Sequence, residues 1–253
     1  MLVGKIEKMI CVSNEEIFKN YVNKFDINDE NILRKYNHSL SVMQNAKEIA
    51  ISLRLSSNDI NLISFIALVH DIGRFKQWEI YKSFKLKNFD HAKYGIDILY
   101  NEKIINVFNI DRKFDSVIKS AIFNHNKEKI TNCKNDFEIL VSKIIRDADK
   151  LDLLRLLSEK KIVIDEDGSL VTDVISNKFF NCELINYNDR KNMSDKILSK
   201  FAFVFDLNFK KSFEILVKNK YIEKFYNNLE YKNVYFKYFE FLMNFIKNKK
   251  DTN

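Results

Sequence analysis

Proline is absent from the 253 residues, and glycine occurs only four times. The usual breakers of helices are therefore missing, and long helical runs can propagate. Cysteine is confined to Cys11, Cys133 and Cys182, an odd number at wide spacing. That excludes a disulfide framework and a close-spaced zinc pair, and the three read as reduced, partly buried thiols. No apolar run approaches membrane-spanning length, Phe65–Val69 being typical of the longest. Met1–Met9 alternates charged and apolar residues, unlike a secretory signal, so a cytoplasmic protein is expected. Charge of one sign is not concentrated anywhere. The 42 basic and 35 acidic residues are spread along the chain, and the net charge of +7 permits a polyanionic partner without demanding a nucleic acid. The abundance of Lys, Asn, Ile, Phe and Tyr is what AT-rich coding would produce.

What is present points to helices. The length suits a single domain spanning 1–253, with a core large enough to need no disulfides. Apolar residues recur at three- and four-residue steps in segment after segment. Ser13 or Asn14 caps a first helix. A longer one is expected to begin at His38 and run to about Leu55, its apolar face including Val42, Ala46 and Ile49. A third starts at Ser57 or Asn58 and delivers His70 and Asp71 at its end, with Gly73 as terminator. Asp90 caps a helix from His91, a helix over about 113–123 presents His125, and one over about 137–157 carries Asp149. Ile162-Val163-Ile164, Asp167-Gly168 and Leu170-Val171 predict a small β-hairpin over 161–172. Helices return over 172–181, 193–206, 209–219 and 231–247, in a tail whose phenylalanines and tyrosines are expected to pack into a core. The expectation is an all-α fold with a β-hairpin insertion and a C-terminal helical extension over 173–247. The aromatic tail either completes the monomer core or forms a homodimer interface.

Histidine is as scarce as glycine, and the four residues are His38, His70, His91 and His125. His70 precedes Asp71 directly, and Arg146-Asp147-Ala148-Asp149-Lys150-Leu151-Asp152 adds carboxylates downstream. Imidazole and carboxylate together make a mixed nitrogen and oxygen ligand set suited to Fe, Mn, Ni, Zn or Mg.

A histidine, then a His-Asp pair, then a distant aspartate resembles the pattern of the HD-domain metal-dependent phosphohydrolases. The string Ala67-Leu68-Val69-His70-Asp71-Ile72-Gly73-Arg74-Phe75 is similar to the family's central motif, and Asp147-Ala148-Asp149-Lys150-Leu151-Asp152 to its last. Two-metal members carry two further histidines between these, which His91 and His125 match. Asp90-His91-Ala92-Lys93-Tyr94-Gly95 is similar to the string found after the central motif in bacterial members, and Arg74-Phe75-Lys76-Gln77 resembles that of stand-alone bacterial members. The resemblance covers about 30–155, and the metal-binding core it implies lies at about 30–157.

By that resemblance, one cation takes His38, His70, Asp71 and Asp149, and a second takes the other oxygen of Asp71 with His91 and His125. Two divalent cations about 3.5–4 Å apart would hold a bridging hydroxide that attacks phosphorus. The implied activity is hydrolysis of a phosphomonoester or phosphodiester, in a small phosphorylated substrate such as a nucleotide. Arg74, three residues past Asp71, is expected to assist the reaction and bind phosphate, with Gln77 and Lys127 as further substrate contacts. Lys150 is a catalytic candidate, unless it pairs with Asp147 or Asp152. Asp147 either holds a ligand histidine by its other ring nitrogen or serves as a solvated or capping charge. Arg74 stands where some single-metal nucleotidases of the family carry a glutamate, and the absence of proline excludes the Gly-Tyr-Pro signature of the branch that opens cyclic dinucleotides. Two other readings share the sequence: a mixed-valent di-iron oxygenase with the same ligands, and a non-catalytic nucleotide or nucleic-acid binding module.

Overall fold

The computed structural model describes residues 12–86 and 89–251. Met1–Met9 and Cys11 lie outside them. Every regular element among the described residues is helical.

Helix α1 (Asn14–Val22) is capped by Ser13, whose hydroxyl accepts from the Glu16 amide. Helix α2 (Glu30–Ser52) is capped by Asp29, which accepts from the amides of Asn31 and Ile32. It therefore starts two turns earlier than the sequence pattern suggested and places His38 inside the helix rather than at its start. The reason is local: the Asp29 cap is followed by a run of good helix formers, and nothing before His38 stops it. Helix α3 (Ser57–Val69) is buried at all but one position from Leu62 onward and runs through the middle of the bundle.

Helix α4 (Gly73–Tyr81) follows almost at once. Gly73 thus opens a helix instead of closing one. Its use is steric: a Cβ there would lie 2.8 Å from the Gly95 amide nitrogen and 2.8 Å from the His91 carbonyl oxygen. Backbone meets backbone where α4 crosses α5 (His91–Tyr100). Helix α6 (Asp115–Asn124) ends at His125, and α7 (Asp136–Ser158) is the second deeply buried helix. Helices α2, α3 and α7 pack on one another, and α4, α5 and α6 close the end where the histidines meet.

The extension comprises α8 (Asp173–Phe180), α9 (Met193–Phe201), α10 (Lys210–Lys218), α11 (Tyr221–Asn228) and α12 (Lys232–Asp251). Helix α11, eight residues long, was not among the helices expected from the sequence. The aromatic residues of the tail pack on one another as expected. Phe179 meets Phe205 and Tyr238 edge-on, and Phe205 meets Phe245 likewise. Buried apolar side chains form one connected cluster from Phe18 to Ile246, so the extension shares the core of the bundle.

The hairpin expected over 161–172 is not there, and no strand occurs among the described residues. A two-residue hairpin of the Asp-Gly kind needs positive φ at both central residues. Gly168 has φ +68°, but Asp167 is not among the residues with positive φ. The polar groups of the segment are satisfied by helices instead. The Thr172 amide donates to Asp195, the Leu170 carbonyl accepts from Asn192, and Glu166 accepts from the amides of Glu230 and Tyr231. Gly168 lies on the Tyr231 ring. The apolar alternation misled because Val163 and Leu170 are 75% and 77% exposed. The segment is a strap tied across α9 and the start of α12. No described helix is long and apolar enough to cross a membrane.

Candidate metal centre

Three of the four histidines are fixed through Nδ1 by the same device. His70 and His125 follow the last residues of α3 and α6, where helix carbonyls lack amide partners. Their Nδ1 atoms lie 2.7 Å from the Ala67 carbonyl oxygen and 2.6 Å from that of Ile122. A carbonyl can only accept, so Nδ1 carries the proton and Nε2 is left with a lone pair. His38 Nδ1 lies 2.6 Å from Asp152 Oδ2, with the same consequence. Asp152 is held in turn by Arg155, at 2.7 Å. The fourth ring, His91, has its Nδ1 3.4 Å from the Asn126 amide.

The four Nε2 atoms converge on Asp71. Its Oδ2 lies 3.7 Å from His38 Nε2 and 3.9 Å from His70 Nε2. Its Oδ1 lies 3.5 Å from both His91 Nε2 and His125 Nε2. Asp149 Oδ1 joins the first group, 3.1 Å from His38 and 3.8 Å from His70. One carboxylate therefore faces two ligand clusters, one with each oxygen. His38, His70 and Asp149, and also His70, Asp71 and His125, present atoms close enough to share a cation.

Charge and burial fit a cation at this place. His38 Nε2, His70 Nε2 and Asp71 Oδ1 are buried with no hydrogen-bond partner, a costly arrangement unless something binds them. Burial pushes the Asp71 carboxyl up, but Lys35, the neighbouring His70 and His125 rings and Arg74 outweigh it and hold the group well below the usual carboxylate range. Burial likewise raises Asp149, and the His38 and His70 rings beside it more than reverse it. Burial, helped by Arg74 and His125, drives His91 well below the usual imidazole value despite Asp71, so its ring is neutral. Burial and Lys35 push His38 down, yet Asp149 and Asp152 overcome them and raise it. Those carboxylates favour positive charge at Nε2, whether a proton or a metal supplies it. A donor set of imidazole nitrogens and carboxylate oxygens suits divalent first-row metals and Mg.

The cleft beside the centre, of about 270 Å³, is lined by Lys35, Asp71, His91, His125, Lys127, Arg146, Asp149, Lys150, Tyr187 and Phe203 among others. Arg74 reaches the centre: Nη2 is 3.3 Å from His91 Nε2 and Nε is 3.6 Å from Asp71 Oδ1. Gln77 is buried and accepts from Arg74 at 2.9 Å while donating to the Ser83 carbonyl, so it steadies Arg74 and does not face the cleft. Lys127 forms an ion pair with Asp90. Lys150 pairs with Asp206 at 2.7 Å, not with Asp147 or Asp152.

Asp147 does something other than hold a histidine. Its carboxylate accepts from the amides of Asn208 and Phe209, from the Asn208 side chain and from the Ser212 hydroxyl. It caps α10, whose own N-cap residue, Phe209, offers no side-chain acceptor. Histidine support falls to Asp152 instead, one helical turn after Asp149 on the same face of α7. Asp147→Ala is accordingly expected to lower the unfolding free energy by about 1–3 kcal/mol, through the buried Ser212 hydroxyl and the part-buried amides of Asn208 and Phe209 that it strands. Thermal unfolding and metal content, measured on the same sample, check it: a loss of bound metal at unchanged melting temperature would contradict the capping role.

Several residues at the site escaped the sequence reading. Lys35 sits 2.7 Å from Asp71 Oδ2, and its signal was its place three residues before His38 on α2. Arg146, almost fully buried, donates to the carbonyls of Asn124, Lys127 and Glu128 just around His125 and pairs with Asp206 at 2.7 Å. Tyr187 and Phe203 come from the extension, where nothing local marked them.

Compared with known proteins, residues 36–154 match the model of the family described as HD domain. No curated protein and no solved structure matches the chain.

Proposed function

We propose, from the premise that the chain belongs to the HD-domain superfamily, that it hydrolyses a phosphomonoester or phosphodiester bond of a nucleotide. The fold and the clustered ligands are consistent with a metal-dependent phosphohydrolase. The observation that carries the reading is the position of Asp71, with one oxygen toward His38 and His70 and the other toward His91 and His125. His38, His70, Asp71 and Asp149 would hold one divalent cation, and Asp71, His91 and His125 a second. When bound, such a pair supplies acidified water and neutralises charge that builds on a phosphoryl group.

The chain's own residues do the rest. The Nδ1 bonds of His38, His70 and His125 fix ring orientation before substrate arrives, so little reorganisation remains. Arg74 is held by Gln77 and the Phe84 carbonyl, and its buried Nε–H, 3.6 Å from Asp71 Oδ1, makes no hydrogen bond. A phosphoryl oxygen is the acceptor that donor suits. Lys35 adds a second positive charge on the Asp71 side of the cleft. We read the chain as a single domain acting in the cytoplasm, where its thiols stay reduced; Cys133 and Cys182 are free.

The test is reconstitution of the full chain with Mn, Fe, Ni, Mg or Zn, followed by assays on bis-p-nitrophenyl phosphate and nucleotides. About two metals per chain are expected, with turnover that chelation removes and metal restores. Stoichiometric metal with no hydrolysis of any phosphoester would sink the reading.

A further inference from the structure

Cations around the cleft fall into two groups. Lys35 is paired with Asp71, Lys127 with Asp90, and Arg146 and Lys150 share Asp206. Arg190 and Lys200 have no such partner: among the described residues no carboxylate lies within ion-pair distance of either. Arg190 donates only to neutral groups, the Tyr187 carbonyl at 3.3 Å and the Ser199 hydroxyl at 3.3 Å.

Both sit against the cleft wall. The Arg190 guanidinium lies 4.4 Å from the centre of the Tyr187 ring, and the Lys200 ammonium 4.8 Å from that of Phe203. Tyr187 and Phe203 line the cleft that contains Asp71 and Asp149. Burial depresses Lys200 to about 8, the charges of Arg190 and Lys85 push the same way, and Asp149 pulls it back. Lys200 thus feels two other cations and a carboxylate of the metal centre at once. Like charges gathered at a partly buried place are unfavourable unless an anion joins them. Tyr187 is 74% exposed, so it also offers a ring face to a planar group.

We propose that Arg190 and Lys200 bind a second anionic group of the substrate, a phosphate beyond the one attacked at the metal centre, and so select a nucleoside di- or triphosphate over a monophosphate. The inference rests on the phosphohydrolase reading for the identity of the attacked group. The catalytic residues come from 36–154, whereas this selection comes from the extension. Guanidinium and ammonium groups already held on aromatic faces lose little freedom when a phosphate arrives.

The experiment compares the dissociation constants of AMP and of α,β-methylene-ADP, which resists hydrolysis, by calorimetry on the full chain. The wild type is expected to prefer α,β-methylene-ADP by about tenfold or more, as for a charge-assisted contact. In the variant combining Lys200→Gln and Arg190→Gln that preference should fall to about one, and Lys200→Arg alone should keep it. Should the double variant fail to fold, judged by circular dichroism, each single glutamine variant should lose part of the preference. Equal affinities in the wild type, or a preference retained without both charges, would overturn the proposal. Hydrolysis of bis-p-nitrophenyl phosphate by the wild type is scored separately. Its absence counts against the phosphohydrolase reading alone, while the affinity ratio decides the anion subsite.

Discussion

Asp71→Ala is expected to lower phosphoester hydrolysis by roughly a thousandfold or more and to cost the protein most of its bound metal. Four histidine nitrogens lie within 3.9 Å of one or other Asp71 oxygen, so no neighbouring side chain can replace it. Asp149 reaches only the His38 and His70 side. Metal analysis alongside bis-p-nitrophenyl phosphate turnover checks the expectation, and a variant that kept both metals would refute the bridging position. Stability gives a second readout. In the metal-free protein the Asp71 carboxyl is held well below its ordinary value of 3.8 by Lys35, His70, His125 and Arg74 against the effect of burial. A lowered carboxylate contributes stability above its unfolded value and loses it as pH falls toward the folded one. The chelated wild type should therefore lose stability on acidification below about pH 4 more steeply than chelated Asp71→Ala.

Gly73→Ala should damage the centre from a position that touches no ligand side chain. The added methyl would meet the Gly95 amide nitrogen and the His91 carbonyl oxygen, both at 2.8 Å. These are backbone atoms of α5 and cannot rotate away, so α4 and α5 must part. Overpacking of this kind costs about 1–3 kcal/mol. In a chain of this length that corresponds to a melting temperature lower by roughly 2–12 °C. Since α5 begins at His91, the parting moves that ring away from Asp71 Oδ1. The expected result is a protein that keeps the His38, His70 and Asp149 side of the centre and binds its second metal more weakly. A metal titration showing two equally tight sites in Gly73→Ala would contradict the argument. Gly95→Ala is the milder comparison, its closest contacts being 3.4 Å.

The helical character and the ligand residue types were legible along the chain because they are local or compositional. An absence of proline, three- and four-residue apolar steps, and caps such as Ser13 and Asp90 act within a turn or two of where they stand. His70-Asp71 and Asp149 stood out for the same reason, as rare residue types in short strings. The errors arose where a distant partner decided. Asp147 and Asp152 are the same residue type on one helix, and only the placement of α2 and α10 gives His38 to Asp152 and the amides of Asn208 and Phe209, leading into α10, to Asp147. Gly73 reads as a helix stop until α5 is seen against it. The segment 161–172 has the alternation of a hairpin, yet its backbone is taken up by Asp195, Asn192 and Glu166. The sequence by itself determined that the chain is helical and which atoms are fit to hold metal, since propensity and ligand chemistry belong to single residues. Tertiary structure alone decided which oxygen of Asp71 faces which histidines, and that Tyr187 and Phe203 of the extension stand at the cleft with Arg190 and Lys200 against their rings, because those relations exist only once segments far apart in the chain are packed together.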